Sequence, residues 1–517
     1  MFKHCINRAK KNFWLEFFFV LFICLSRGIG AYAQQGDFLQ LKKIRASLYK
    51  IRVVSQTVDF RQPWNHSQAR KGTGSGFYIG KNRILSNAHV VANARFITVQ
   101  RDGDPVASPA FVTYIAHDCD LAILTVADKK YFKNVPSLGF GAVPKLRTPV
   151  ATVGFPTGGE QISVTEGIVS RIEYRRYVHP YNFNHLMVQV DSAINSGNSG
   201  GPVLQAEKVV GVAFQSYTAA ENTGYIIPTP IIRRFLVDIE DGIYDGHIAS
   251  GLKFKRFVML NRGTAEYHGM RQGGRGVKIS YVEKWSPFFR RLHQGDILLE
   301  IDKKDIGVDG SISYLGERVS FLAWIDLKQK NQKVEFKIVR NNQEKILQVL
   351  LQNPGKHPEK GYLYTKQVPF LIVGGIVITS LSRSFLRSYG SQWYHSSPVL
   401  YKYVFYHGSF DENFSEKEEF ILISGILPHK VNRYIQLPGN ALIKKVQGTK
   451  ISTLQQVHEL ISKNRKEYLS IELEGINEPL VLSQKELDEA ERDIAKIYNI
   501  SSFSWLGDLQ DGAINNG

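Results

Sequence analysis

The sequence is poor in cysteine, in acidic side chains and in long apolar runs, and each shortage excludes something. It holds three cysteines in 517 residues. Cys5 and Cys24 fall in the first 33 residues, so beyond them only Cys119 remains. One cysteine closes no internal disulfide, and stability must come from packing even in an oxidising compartment. No later stretch reaches the about 20 apolar residues of a membrane span. The apolar run Val368 to Ile378 is short and interrupted by Gly374-Gly375, so it reads as a buried strand or turn. Acidic residues number 47 against 65 Lys and Arg, a formal charge of +18. Such a surplus attracts nucleic acid, anionic membrane or acidic unfolded protein. It is read here as a solvated basic surface, with no nucleic-acid or specific lipid partner assigned. What the chain does have is 43% hydrophobic and 22% charged residues, a globular balance, over a length suited to about three domains.

Residues 1–33 read as a secretory signal peptide. A basic segment from Lys3 to Lys11 leads into the apolar run Leu15 to Leu25, and the small-residue site Ala31-Tyr32-Ala33 predicts cleavage before Gln34. On that reading the protein is exported to a periplasm or cell envelope.

Behind the leader, short β-rich runs separated by Gly, Pro and Asn fill residues 34–240. They include Ser75 to Ile79, Phe96 to Val99, Leu121 to Val126, Val150 to Val153 and Val209 to Phe214. Their regular spacing predicts an all-β barrel or sandwich. Ile231 to Glu240 then predicts an amphipathic helix that closes the domain. A second block, 246–355, mixes strand and helix, with its clearest strand in Gly295 to Ile301. A third, 360–485, resembles the second faintly enough to be a distant repeat. Residues 486–517 read as a C-terminal helical tail. The fold class expected is therefore mainly β, followed by two α+β modules.

The chemistry concentrates in the first block. In Gly197-Asn198-Ser199-Gly200-Gly201-Pro202, glycines beside a serine permit a tight turn that aims backbone N–H groups at one point. A serine hydroxyl is a poor nucleophile unless a base takes its proton and donors stabilise the oxyanion. Gly197 and Ser199 are the expected donors. The base is His89, in Ile84-Leu85-Ser86-Asn87-Ala88-His89-Val90-Val91, downstream of Gly72-Thr73-Gly74-Ser75-Gly76-Phe77. The acid that orients the imidazole is Asp120, directly before an apolar strand, in preference to Asp118 two residues earlier. No metal site and no cofactor are assigned.

Thr73-Gly74-Ser75-Gly76-Phe77, Ser86 to Val91, Asp120 to Leu124 and Gly197 to Pro202 together resemble the HtrA (Deg) family of trypsin-like serine proteases. That resemblance implies two six-stranded barrels with His89, Asp120 and Ser199 in the cleft between them. Glu221 to Pro230, Gly295 to Leu299 and Phe370 to Leu381 resemble the plant-type Deg branch. This implies a PDZ domain over 246–355 and a second, atypical PDZ-like domain over 360–485. It also implies homo-oligomers, trimers or multiples of trimers.

Specificity is expected from Ala193 and Ile194, six and five positions before the serine, with Tyr225, Ile226 and Ile227 as another wall. No aspartate stands there to select Lys or Arg, so the pocket is expected to be apolar and small. Small apolar side chains are buried in folded proteins, so the expected substrates are unfolded or damaged proteins and peptides. The peptide-binding loop of the first PDZ is expected near Ala249-Ser250-Gly251-Leu252, where small residues replace a bulky apolar one and leave binding open. The loop Ser55 to Lys71, with Trp64, and the aromatic stretch Tyr174 to Phe183 are expected to bridge subunits or sense bound peptide. The alternative to an active endoprotease is a chaperone or scaffold whose triad rests in a misaligned state.

Overall fold

The structure is a computed structural model. It describes residues 42–507 apart from 180, 182, 217–222, 255–261, 268–274, 353–361, 365–366, 409–410, 415–416, 438 and 440. The leader read from the sequence lies outside the described residues.

Strands rich in β-branched residues pair best where both faces are covered, and closing a sheet on itself removes its edges. Both happen here twice. Strands β1 (Leu48–Ser55), β2 (Arg70–Gly80), β3 (Arg83–Ser86), β4 (Ala94–Arg101), β5 (Ser108–Ala116) and β6 (Leu121–Val126) close a barrel in the order β1-β2-β3-β6-β5-β4. Strands β7 (Pro149–Gly154), β8 (Ser163–Arg176), β9 (Asn184–Val190), β10 (Pro202–Gln205), β11 (Lys208–Ser216) and β12 (Gly224–Pro228) close the second, in the order β10-β11-β12-β9-β8-β7. Tyr49, Ile51, Val99 and Leu124 fill the first barrel. The helix Thr229–Asp238 starts with Pro at its first turn, where a missing N–H costs nothing, and buries Ile231, Ile232 and Phe235.

The next module has an antiparallel sheet of Leu252–Phe254, Val277–Val282, Ile297–Ile301, Lys333–Arg340 and Gln343–Leu350, with the short helix Phe321–Asp326. Ser320 caps that helix through Leu322 N–H. One continuous apolar core runs from Leu121 and Ile123, through Val188 and Ile226, into Leu298, Phe336 and Ile338 of this module. Arg234, buried on the closing helix, donates to the carbonyls of Lys328 (3.1 Å) and Gly246 (2.6 Å). The first module is therefore welded to the barrels rather than tethered to them.

The last module pairs Ile421–Ile426, Ile376–Ser380, Phe370–Val373 and Ser504–Trp505 in one sheet. Val368 to Ile378 forms a hairpin turning at Gly374 and Gly375 (φ +54° and +81°). The segment set apart as a tail is built into this module. The helix Gln484–Ile497 buries Leu487, Ala490 and Ile494, and Ser504–Trp505 completes the sheet against Phe370 and Leu371. Apolar side chains at helical spacing made one narrow stripe that its charged face concealed.

The loop Ser55 to Lys71 meets this same chain's last module. Trp64 packs against Phe370, and Arg61 donates to Ser388 Oγ (3.1 Å) and lies over the Tyr389 ring. Tyr181, in the aromatic stretch, lies under Arg383 of that module at 4.6 Å.

Candidate active site

β3 ends at Ser86, and the chain turns through Asn87 into the short helix Ala88–Val91 that carries His89. Asp120 sits at the mouth of β6 in the left-handed region (φ +57°), a conformation costing a non-glycine residue about 1 kcal/mol or more. Asn87 Nδ2 donates to the Asp120 carbonyl (2.9 Å) and holds that turn. The Asp120 carboxylate accepts the His89 backbone N–H (2.8 Å) and meets His89 Nδ1 at 2.7 Å. A proton on Nδ1 satisfies this contact and leaves Nε2 with its lone pair, the state a general base needs. Burial opposes charge on His89, but the charge and hydrogen bond of Asp120 outweigh it and hold the imidazole above its ordinary pKa. Burial likewise works against the Asp120 carboxylate, and the neighbouring His89 and His179 with the hydrogen bonds from His89 hold it below the usual carboxylate range. Asp118 is spoken for elsewhere: it accepts Tyr244 Oη–H and the His247 N–H (2.8 Å).

The serine turn is shaped by contacts that no side chain but hydrogen fits. Gly197 has φ +98°, and a Cβ there would lie 2.3 Å from the Phe155 carbonyl. Gly200 has φ +85°, and its Cβ would lie 2.1 Å from Ser75 O and 2.3 Å from Ser86 Oγ. That approach sets the serine turn directly against the segment carrying His89. Ser75, on β2, ties the pieces: its hydroxyl donates to Gly197 O (2.7 Å), accepts from Phe155 N–H (2.8 Å), and its N–H reaches Ser199 O (2.8 Å). Among the described residues the N–H groups of Gly197 and Ser199 have no partner. The Ser199 hydroxyl rests 3.5 Å from the Phe214 carbonyl, a weak bond, and has no hydrogen bond to His89 among the described residues.

The five residues expected to form the specificity pocket divide. Ala193 keeps part of its surface, and its carbonyl accepts from Thr165 Oγ1 (3.0 Å). Ile194 is buried against Gly224. Tyr225 is buried with its hydroxyl 3.5 Å from Arg175, and Ile226 and Ile227 have no exposed surface at all. Those three residues follow one another on β12, paired with β11 and β9 in the second barrel.

Sequence reasoning does not mark His179 and Tyr364, which stand beside the site. His179 stacks with Tyr364 at 4.0 Å, and its ring centroid lies 6.1 Å from that of His89. His179 Nε2 meets His117 Nδ1 at 2.9 Å, and Tyr364 Oη–H donates to the His179 carbonyl (2.7 Å). Burial, with His117 and His89 nearby, pushes the His179 pKa down to about 3 against the pull of Asp120, so it is neutral beside the acid. Tyr364 belongs to the segment leading into the last module, some 185 positions from His179, a proximity no local pattern reveals.

His185, His247 and Asp326 form a separate buried group whose donor atoms lie within 4.8 Å of one another. Tetrahedral zinc with ligands at 2.0–2.1 Å sets donor atoms about 3.3 Å apart. Here His247 Nδ1 meets Asp326 Oδ1 at 2.7 Å, and His185 Nδ1 meets both Asp326 oxygens at 3.0 Å. Those are hydrogen-bond spacings, and the group fits an ion poorly.

Residues 74–212 match the trypsin-like peptidase domain and residues 360–504 the PDZ domain. The chain is 32% identical over 458 residues to protease Do-like 4, mitochondrial, of Arabidopsis thaliana, spanning 88% of this chain and 84% of that protein. The chain belongs to the HtrA (Deg) family of serine proteases, on its plant-type branch. Protease Do-like 2, chloroplastic, of the same plant is 31% identical over 461 residues, 88% of this chain and 74% of that protein. The solved HtrA-type protease AlgW with decapeptide is similar at 22% identity and a TM-score of 0.45, over 61% of this Deg chain and 98% of that one. This Deg chain is a trypsin-like serine endopeptidase that acts on protein substrates. The mitochondrial and chloroplastic relatives overturn the expected periplasm or cell envelope and point to an organelle. A basic, acid-poor N-terminus serves organelle import as well as secretion, so its charge did not discriminate between them.

Proposed function

We propose that Ser199 is the nucleophile, His89 its general base, Asp120 the acid that orients and charges-balances the imidazole, and the N–H groups of Gly197 and Ser199 the oxyanion hole. The observation that carries this is the two-point grip of one carboxylate on His89, through its backbone N–H and its Nδ1, beside a serine turn in which the Gly197 and Ser199 N–H groups have no partner among the described residues. Peptide-bond hydrolysis then runs by acyl transfer, with His89 taking the serine proton and returning it to the leaving amine. Substrates are unfolded or damaged proteins, cut after small or medium apolar residues beside Ala193. The PDZ module at 360–504 is suited to take peptide ends by strand addition, and the chain works as a homo-oligomer, a trimer or a multiple of trimers.

A second reading has one observation in its favour. The Ser199 hydroxyl rests on Phe214 O, an arrangement suited to a resting enzyme that holds clients before it cuts them. Serine–histidine bonds are often loose without substrate and tighten in the complex. The test is cleavage of casein by wild type and Ser199→Ala. Loss of cleavage in the variant supports the protease assignment, and equal cleavage by both removes it. Suppression of client aggregation by Ser199→Ala supports the holding role.

A further inference from the structure

The segment His117 to Asp120 carries the candidate catalytic acid, and it is held from the module that follows the barrels by a chain of buried charges. The module's helix Phe321–Asp326 ends in Asp326, which is 4% exposed. Its carboxylate faces His185 on β9 and His247 in the connection between barrel and module. His185 Nε2 lies 2.7 Å from the Asp118 carbonyl, which accepts only, while His185 Nδ1 faces the Asp326 carboxylate, which also accepts. Both ring nitrogens therefore carry protons, and His185 is a buried imidazolium balanced by Asp326. His247 donates Nδ1–H to the same carboxylate, and its backbone N–H goes to the Asp118 carboxylate at 2.8 Å. Tyr244 Oη–H supplies Asp118 with its other partner. Two residues on stands Asp120 in its left-handed turn, gripping His89.

We infer that Asp326 of the module following the barrels is a positioning residue for the protease: through His185, His247 and Asp118 it fixes the turn that presents Asp120 to His89. This rests on the reading of Asp120 as the orienting acid. Three observations carry it independently of that reading. The contacts reach Asp118 at two atoms, its carbonyl and its carboxylate, so the segment is held against both translation and rotation. The carbonyl partner is charged, and a charge-assisted bond in a dry site is stronger than a neutral one. The apolar core is continuous from β6 into the module, so the clamp moves with the module as one body. A misplacement of about 1 Å at a catalytic group costs roughly 100-fold in rate, so a clamp two residues from Asp120 has leverage over turnover.

The test uses the full chain with Asp326→Asn and, as a variant that keeps every packing atom but one, Tyr244→Phe. Folding is followed by circular dichroism, and competent sites are counted by fluorophosphonate labelling of Ser199. Rates of casein cleavage are expressed per labelled site. The expected result for Asp326→Asn is kcat lowered roughly tenfold or more with KM nearly unchanged, and an acid limb of kcat/KM moved to lower pH because Asp120 charges His89 less well. Tyr244→Phe moves both in the same direction by less, and Asp326→Glu restores part of the rate. If both variants keep the wild-type kcat per site and the wild-type acid limb, with only the melting temperature lowered, the group is a structural clamp and the inference fails. One equivalent of zinc in the purified wild type, lost together with activity on chelation, overturns it in favour of a metal site. A wild type that neither cleaves casein nor labels at Ser199 fails the proposed function instead, which separates the two claims.

Discussion

Two carboxylate–histidine groups meet at the segment His117 to Asp120, and they differ in what surrounds the second ring nitrogen. At Asp120 and His89 the carboxylate takes one nitrogen and leaves the other uncommitted among the described residues, on a ring that keeps 31% of its side-chain surface. At Asp326 and His185 both nitrogens face acceptors, and the ring has no exposed surface. The first pair has a basic lone pair to offer a proton from a neighbouring alcohol; the second has spent its protons on holding two domains together. A histidine beside an aspartate is thus not in itself a site. The uncommitted nitrogen, partial exposure and a serine turn nearby make it one.

That contrast can be broken by substitution, starting where the largest effect is expected. Ser199→Ala should lower kcat on casein by roughly 10⁶-fold while the fold survives. Asp120→Asn should cost roughly 10⁴-fold, because the amide favours the wrong imidazole tautomer, with little change in melting temperature. The opposite signature is expected at the other pair. Asp326→Ala leaves an imidazolium buried without its counter-charge and should destabilise the chain by about 3–5 kcal/mol in urea unfolding.

The pH dependences sharpen the comparison further. His89 is held above its ordinary value, so kcat/KM should fall on acidification with an apparent pKa above 6.5, read from a rate profile. For the buried pair, burial opposes both charges, but Asp326 raises the pKa of His185 and the two histidines lower that of Asp326. The stability contributed by His185 is full below the ordinary histidine value and is lost as pH rises through its raised folded value. That from Asp326 is full above the usual carboxylate range and is lost as pH falls through its lowered value. Denaturation midpoints should therefore hold across mildly acidic to neutral pH and decline on either side, and Asp326→Asn should flatten both slopes. The smallest effect is expected at Tyr364→Ala, which removes one stacked ring from His179 and should cost about 1 kcal/mol with a modest change in cleavage.

What could be read from the sequence follows the range of the forces involved. The serine turn was legible because glycine is demanded at 197 and 200 by positive φ and by backbone packed within 2.3 Å of a would-be Cβ. The choice of Asp120 over Asp118 rests on its position directly before β6, and the two carboxylates have different partners. Apolar residues such as Tyr225, Ile226 and Ile227 line a cleft or fill a barrel core equally well, and their sequence does not distinguish the two. Asp326 and His185 lie 141 positions apart, and nothing local marks their meeting. From sequence the helix Gln484–Ile497 reads as a tail because its charged face dominates its composition, while three buried residues decide where it docks.

The most direct test of the account is to ask which atom is nucleophilic. A fluorophosphonate reacts covalently with an activated serine, and peptide mapping then locates the adduct. The account predicts a single adduct on Ser199 that forms slowly in Asp120→Asn and is absent in His89→Ala. An adduct on another serine, or labelling of Ser199 at the wild-type rate after loss of His89, would contradict it.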